Sequence, residues 1–209
     1  KGVHKIDLPG SQHWQTIKPI PLADAIANRK SRRSPTRGSL SLSELSFLLW
    51  ATQGVRQKEG MYHALRTVPS AGCRHSFETY IAAFRVEGLE TGIYRYLPLS
   101  HQLAEVTKEG NLEHQVTRMA MGQSFAAKSA ATFIWTTVTA RMEWRYGIAA
   151  YKVIAMDAGH VCQNLYLACE AVGCGTCAIG AYDQEYADAV LDVDGEDEFT
   201  VYMAPLSKL

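Results

Sequence analysis

The chain has 209 residues, 47% hydrophobic and 20% charged, which is material for one substantial core and not the composition of a disordered segment. Lys plus Arg and Asp plus Glu both number 21, so no global field draws the chain to nucleic acid or an anionic membrane, and any electrostatic function must be local. No apolar run approaches the roughly 20 residues a bilayer-spanning helix needs, and five cysteines, an odd number, disfavour a fully paired disulfide framework.

Lys1 to Ile20 lacks a sustained period and carries Pro9, Gly10 and Pro19, which predicts an extended arm more than a packed element, of the kind that lies over a neighbouring subunit. Residues 21–209 read as one domain. Pro21 suits the first turn of a short helix through Leu22, Ala25, Ile26 and Arg29. Ser41 and Glu44 have capping-box spacing, and Leu45, Leu48, Leu49 and Thr52 then recur at helical intervals until Gly54 offers a left-handed stop.

From Thr79 to Val106 three strand-like runs are separated by Gly88, Gly92 and Pro98, as in an antiparallel meander. A helix over Asn111 to Met121 follows, then a central strand from Ala131 to Thr139, β-branched and aromatic. Ile154, Ala158, Val161, Leu165, Ala168 and Val172 mark a long buried helix ending at Gly173. A short strand over Cys177 to Ala181, a helix over Asp183 to Leu191 and a last strand over Phe199 to Ala204 complete the chain. Strands gathered between helices, with a hairpin region inserted, predict a mixed α+β fold.

Arg29, Lys30, Arg32, Arg33 and Arg37 place five positive charges within nine residues, at a helix end and the following loop. Such a run can be a nucleic-acid patch, a localisation signal or a solvated surface. Arg29, Lys30, Ser31 and Arg33, however, interleave a hydroxyl with cations in one tight turn, the chemistry that grips a single phosphomonoester. Each such contact contributes roughly 1.5–3 kcal/mol when partly desolvated. Nucleic acid would ask for a longer stripe with stacking aromatics.

Other motifs exclude chemistry. Gly173 to Ala178 fits G-x-G-x-x-[GA], but it follows a helix and precedes a strand, the reverse of a dinucleotide fingerprint. Cys174 and Cys177 form a C-x-x-C with no helix N-terminus and no second pair, so small-residue packing accounts for them better than redox or zinc chemistry. His160-x-Cys162 on the long helix reads as a core histidine, and no metal is predicted. No G-x-S-x-G elbow is present, and Cys73 beside Arg74 and His75 is a thin basis for a Cys-His nucleophile, because sequence neighbours seldom point at each other.

Taken together, "RKSRR" (residues 29–33), "LSLSELSFLLWATQGV" (40–55), "RTVPSAG" (66–72), "VEGLETGIYRYLPLSHQL" (86–103), "DAGHVCQNLYLACEAVGCGTCAIGAYD" (157–183) and the closing "YMAPLSK" resemble the FMN-dependent nitroreductase superfamily, in particular its SagB-type dehydrogenase branch. The resemblance implies a nitroreductase-like α+β fold with a central, mostly antiparallel sheet flanked by helices, and a homodimer with FMN at the subunit interface. It implies that Arg29, Lys30, Ser31 and Arg33 hold the FMN phosphate and ribityl chain, with Arg33 toward the pyrimidine edge and Lys208 reaching the phosphate. Pro69, Ser70, Ala71 and Gly72 would cover the flavin from the partner subunit, and the Gly180 and Ala181 backbone would approach the ring.

By the same resemblance NAD(P)H is the co-substrate, giving hydride to the flavin before a small electron-poor acceptor, nitroaromatic or quinone, takes its place. The implied alternatives are an azoline dehydrogenase that oxidises thiazoline or oxazoline in a peptide, and a flavin-binding protein without turnover. Azoline-oxidising members carry a Lys-Tyr pair where this chain has Arg145 and Tyr146. Arg cannot accept a proton near neutral pH, which weakens that role, whereas Tyr146 can still donate one or orient a substrate. The expected setting is cytoplasmic, without nucleic-acid or membrane partners, and an exported form stays open because residue 1 is Lys.

Overall fold

The computed structural model describes residues 2–14, 17–60, 63–108 and 110–209; Lys1, Gln15 and Thr16 of the expected arm lie outside them. In chain order the elements are β1 (Lys5–Asp7), α1 (Leu22–Asn28), α2 (Leu42–Gln53), β2 (Val55–Glu59), β3 (His63–Arg66), β4 (Phe77–Ala83), β5 (Gly92–Leu97), β6 (Gln102–Thr107), α3 (Leu112–Met119) and α4 (Phe125–Lys128). They continue with β7 (Ala131–Val138), α5 (Ala140–Tyr146), α6 (Ala150–Ala171), β8 (Cys174–Thr176), α7 (Gln184–Leu191) and β9 (Glu198–Lys208).

Seven strands form one sheet in the order β1-β6-β5-β4-β7-β9-β8, and every pairing in it is antiparallel. The central strands β4 and β7 are buried on both faces, and their alternating side chains feed two cores. Phe77, Ile81, Phe133 and Trp135 join Leu45, Leu48 and Leu49 of α2 and Leu165 of α6 on one face. Tyr80, Ala82 and Ile134 join Val116 and Met119 of α3 and Leu191 of α7 on the other. The α+β fold with helices flanking an antiparallel sheet is therefore the one the sequence predicts.

Local signals hold where they are short-range. Ser41 and Glu44 form a reciprocal capping box, with Ser41 N donating to Glu44 Oε2 at 2.9 Å and Glu44 N to Ser41 Oγ at 3.2 Å. Other expectations are corrected. Gly54 is extended (φ −63°, ψ 149°), because the chain passes directly into β2 and needs no left-handed reversal. The short strand near the C-terminus is Cys174–Thr176, and residues 177–181 form no strand but pair with the sheet through an Ile179–Met203 bridge. Part of the expected arm is packed: β1 pairs with β6 at the sheet edge, and Trp14 lies on Phe47 and Trp50 of α2, ring centroids 5.5 and 5.2 Å away. His160 is exposed and not in the core.

Candidate functional site

The basic turn follows the C-terminus of α1, where the loss of helical hydrogen bonding lets the chain run along β8: Arg32 N donates to the Thr176 carbonyl at 2.9 Å. That contact turns alternate side chains to different tasks. Arg32 lies over Gly175 and reaches Glu170 at 3.8 Å, a structural role. Arg29, Lys30 and Arg33 have no carboxylate within ion-pair distance among the described residues. Three cations in five residues without an internal counter-charge suit an external anion.

Tyr166 of α6, which sequence reasoning passed over, organises this turn. Its hydroxyl is 3.0 Å from Ser31 Oγ and accepts the Ala178 amide at 2.9 Å, and its ring lies 5.3 Å below the Arg29 guanidinium. One phenol thus ties the Arg29–Arg33 turn to the segment that leads to Gly180 and Ala181. Both of those residues are exposed, and a Cβ added at Gly180 would meet nothing within 4 Å, so the backbone is open to a planar ligand. Ala181 is held from behind by Gln123 Nε2, which donates to its carbonyl at 3.0 Å.

Lys208 sits nearby, lining one shallow crevice with Arg33, but its ammonium is bonded to Glu44 and to the Val172 carbonyl (3.0 Å). It joins β9 to α2 and does not point out of the protein as a free phosphate ligand.

The Pro69–Gly72 loop is built from other contacts. Ala71 N donates to both carboxylate oxygens of Asp157, each at 3.1 Å, and that carboxylate is buried in α6. A charge-assisted bond of this kind fixes a loop more firmly than a neutral one. Gly72 has φ +57°, which favours glycine, and a Cβ there would lie 2.7 Å from the Tyr146 hydroxyl and 3.0 Å from Arg145 Nε, so a larger residue would push the ends of those two side chains aside. The structure therefore brings Arg145 and Tyr146 against this loop.

Asp157 and Tyr166 are nine residues apart on α6, about 13 Å along its axis and on opposite sides of it. The Pro69–Gly72 loop and the basic turn consequently do not converge within one chain.

The C-x-x-C cysteines are both buried, and burial pushes the Cys174 thiol up to about 12, which suits packing and not redox exchange. Cys73 and His75 are the opposite case. Their sequence proximity argued against a contact, yet Cys73 Sγ lies 3.3 Å from His75 Nε2, because both residues adopt left-handed backbone (φ 56° and 49°) and turn to the same side.

Residues 26–207, nearly the whole ordered core, match the Nitroreductase family. The chain belongs to that family. A nitroreductase-named protein of Methanocaldococcus jannaschii, MJ1384, is 31% identical over 192 residues, covering 92% of this chain and 93% of its own. The trifolitoxin-processing protein TfxB of Rhizobium leguminosarum bv. trifolii is 26% identical over 78% of this chain, which spans 46% of that relative. A crystal structure of a nitroreductase-named protein from Ralstonia eutropha JMP134 has the same fold, with TM-score 0.76 and 24% identity over 100% of this chain and 95% of its own. As a Nitroreductase-family chain it belongs to an oxidoreductase class, and none of its described helices is long and apolar enough to cross a membrane.

Proposed function

We propose that this Nitroreductase-family protein is an FMN-dependent oxidoreductase that takes hydride from NAD(P)H and reduces a small electron-poor acceptor. The observation that carries the reading is the uncompensated triad Arg29, Lys30 and Arg33, tied through Tyr166 to the open backbone at Gly180 and Ala181. These residues fit a phosphate at one end and a flat ring at the other. Bound FMN would supply the two-electron chemistry, which no side chain here supplies. The chain's own part is to hold the phosphate, present peptide groups to the ring and exclude water with the Pro69–Gly72 loop.

That loop serves a second copy of the chain in this reading, since it and the basic turn lie on opposite sides of α6. Exposed apolar side chains close together in sequence support the homodimer: Ile148 is 92% exposed and Tyr151 74%, and Trp144 and Met156 are exposed as well. Tyr146, half-buried with its hydroxyl at the loop, is placed to orient a substrate or donate a proton, and Arg145 to hold an anionic group.

Protein purified with FMN should be yellow, and NADH or NADPH should bleach it anaerobically. Arg29→Ala combined with Arg33→Ala removes two charge-assisted contacts of about 1.5–3 kcal/mol each, so FMN affinity should fall at least about a hundredfold in a fluorescence titration. Unchanged affinity would reject the cation assignment.

The likeness to TfxB favours one other reading, oxidation of an azoline in a peptide with the same cofactor and loop. Mass spectrometry of a thiazoline peptide incubated with the flavoprotein decides it. Loss of two hydrogens selects the dehydrogenase, and unchanged peptide with active NAD(P)H oxidation selects the reductase.

A further inference from the structure

Next in sequence to the Pro69–Gly72 loop, residues 73–75 line a cavity of about 770 Å³ together with the β2–β3 hairpin and the turn joining β5 to β6. Its size is that of a small-molecule site. Its charge is lopsided: among the described residues, Lys58, Arg66, Arg74 and Arg141 line it against one carboxylate, that of Glu78. That carboxylate is already engaged, by Arg141 at 2.6 Å and Arg95 at 3.1 Å. Among the described residues no carboxylate lies within ion-pair distance of Lys58, Arg66 or Arg74.

Two of these guanidinium groups are held in place by neutral partners. Arg66 donates to Gln53 Oε1 at 2.5 Å, and Arg74 donates to the Gly72 carbonyl at 2.8 Å while lying 5.0 Å over the Trp144 ring. Positioned forks without a counter-ion are what recognise an oxyanion. Leu97, Pro98 and Leu99 add apolar lining to the same cavity. Cys73, an exposed cysteine, also lines the cavity, with its thiol 3.3 Å from His75 Nε2.

We propose that this cavity is a second ligand site, distinct from the flavin site, for a small organic carboxylate with an apolar body. The carboxylate meets Arg66, Arg74 and Lys58, and the body lies along Leu97 to Leu99. Cys73 makes the site measurable, because the other four cysteines are buried.

The test compares two aromatic disulfides of similar size, the dicarboxylate dithiobis(nitrobenzoate) and the uncharged dithiodipyridine. In each reaction the Cys73 sulfur bonds to one half of the reagent, the other half leaves as a thiolate, and the cysteine proton goes to solvent. Arg74→Gln and Lys58→Gln should each slow the dicarboxylate roughly tenfold, the scale of local steering, and leave the neutral reagent within about twofold. Equal slowing of both reagents, or of neither, overturns the proposal, and unchanged thermal melting confirms that each variant is folded. Naphthoate should protect Cys73 from the neutral reagent saturably, whereas naphthalenemethanol should not; absent or equal protection overturns it. Repeating the protection with saturating FMN keeps the two sites apart. An unchanged naphthoate constant supports a separate site, and complete protection by FMN alone refutes it.

Discussion

The Tyr166 hydroxyl joins two segments that the chain itself separates by more than a hundred residues, bonding Ser31 on one side and Ala178 on the other. Tyr166→Phe keeps the ring under Arg29 and removes only those two bonds. At about 1 kcal/mol each, FMN affinity should fall between about fivefold and thirtyfold, read by quenching of flavin fluorescence; a variant that binds as wild type would take Tyr166 out of the site. His75 gives a pH signature. Burial, with Arg66 and Arg74 nearby, lowers its pKa from 6.5 to about 4, so the native protein keeps it neutral. As pH falls through that interval the unfolded chain takes up the proton first, and the native state loses stability; above it His75 contributes no slope. His75→Gln should flatten the melting temperature between those two pH values, and an unaltered slope would assign the acid sensitivity elsewhere.

Among the elements, α2 is the one whose start is written in four residues. Ser41→Ala removes one half of the capping box and should cost about 1 kcal/mol in urea unfolding, with the flavin affinity unchanged. Glu44 is the less local member: besides closing the box it receives Lys208 from β9, a partner 164 residues away that no spacing rule reveals. The meander over β4, β5 and β6 and the central strand β7 were readable because alternation and β-branching are properties of neighbouring residues. The β2–β3 hairpin was not, since its polar run "VRQKE" has neither a buried face nor a two-residue turn signal. The arm misled for a related reason: three residues of strand and one tryptophan have no period, and they are ordered by β6 and α2.

At the scale of the molecule, the proposed homodimer is tested at the exposed apolar residues of α6 and of the segment before it. Ile148→Glu with Met156→Glu should give a monomer by light scattering, and if the flavin site spans two copies, FMN affinity should fall at least about tenfold with it. A monomer that binds FMN undiminished would confine the site to one chain. The basic turn was legible because it is a contiguous run of unusual residue types, whereas the loop glycine and the Arg145-Tyr146 pair were singled out only through the family resemblance. What stayed hidden were Asp157 and Tyr166, which look like ordinary members of a long helix.

By itself the sequence determined the α+β class, the antiparallel meander and the anion-seeking turn, because capping, alternation and charge density depend on residues a few positions apart. Only the tertiary structure decided that Lys208 answers Glu44, that Ala71 hangs on Asp157, that two left-handed residues bring Cys73 to His75, and that four cations share one cavity wall. Each of those depends on distances across the fold, and a carboxylate or a phenol has the same local propensity whether it meets solvent or the one loop it must hold.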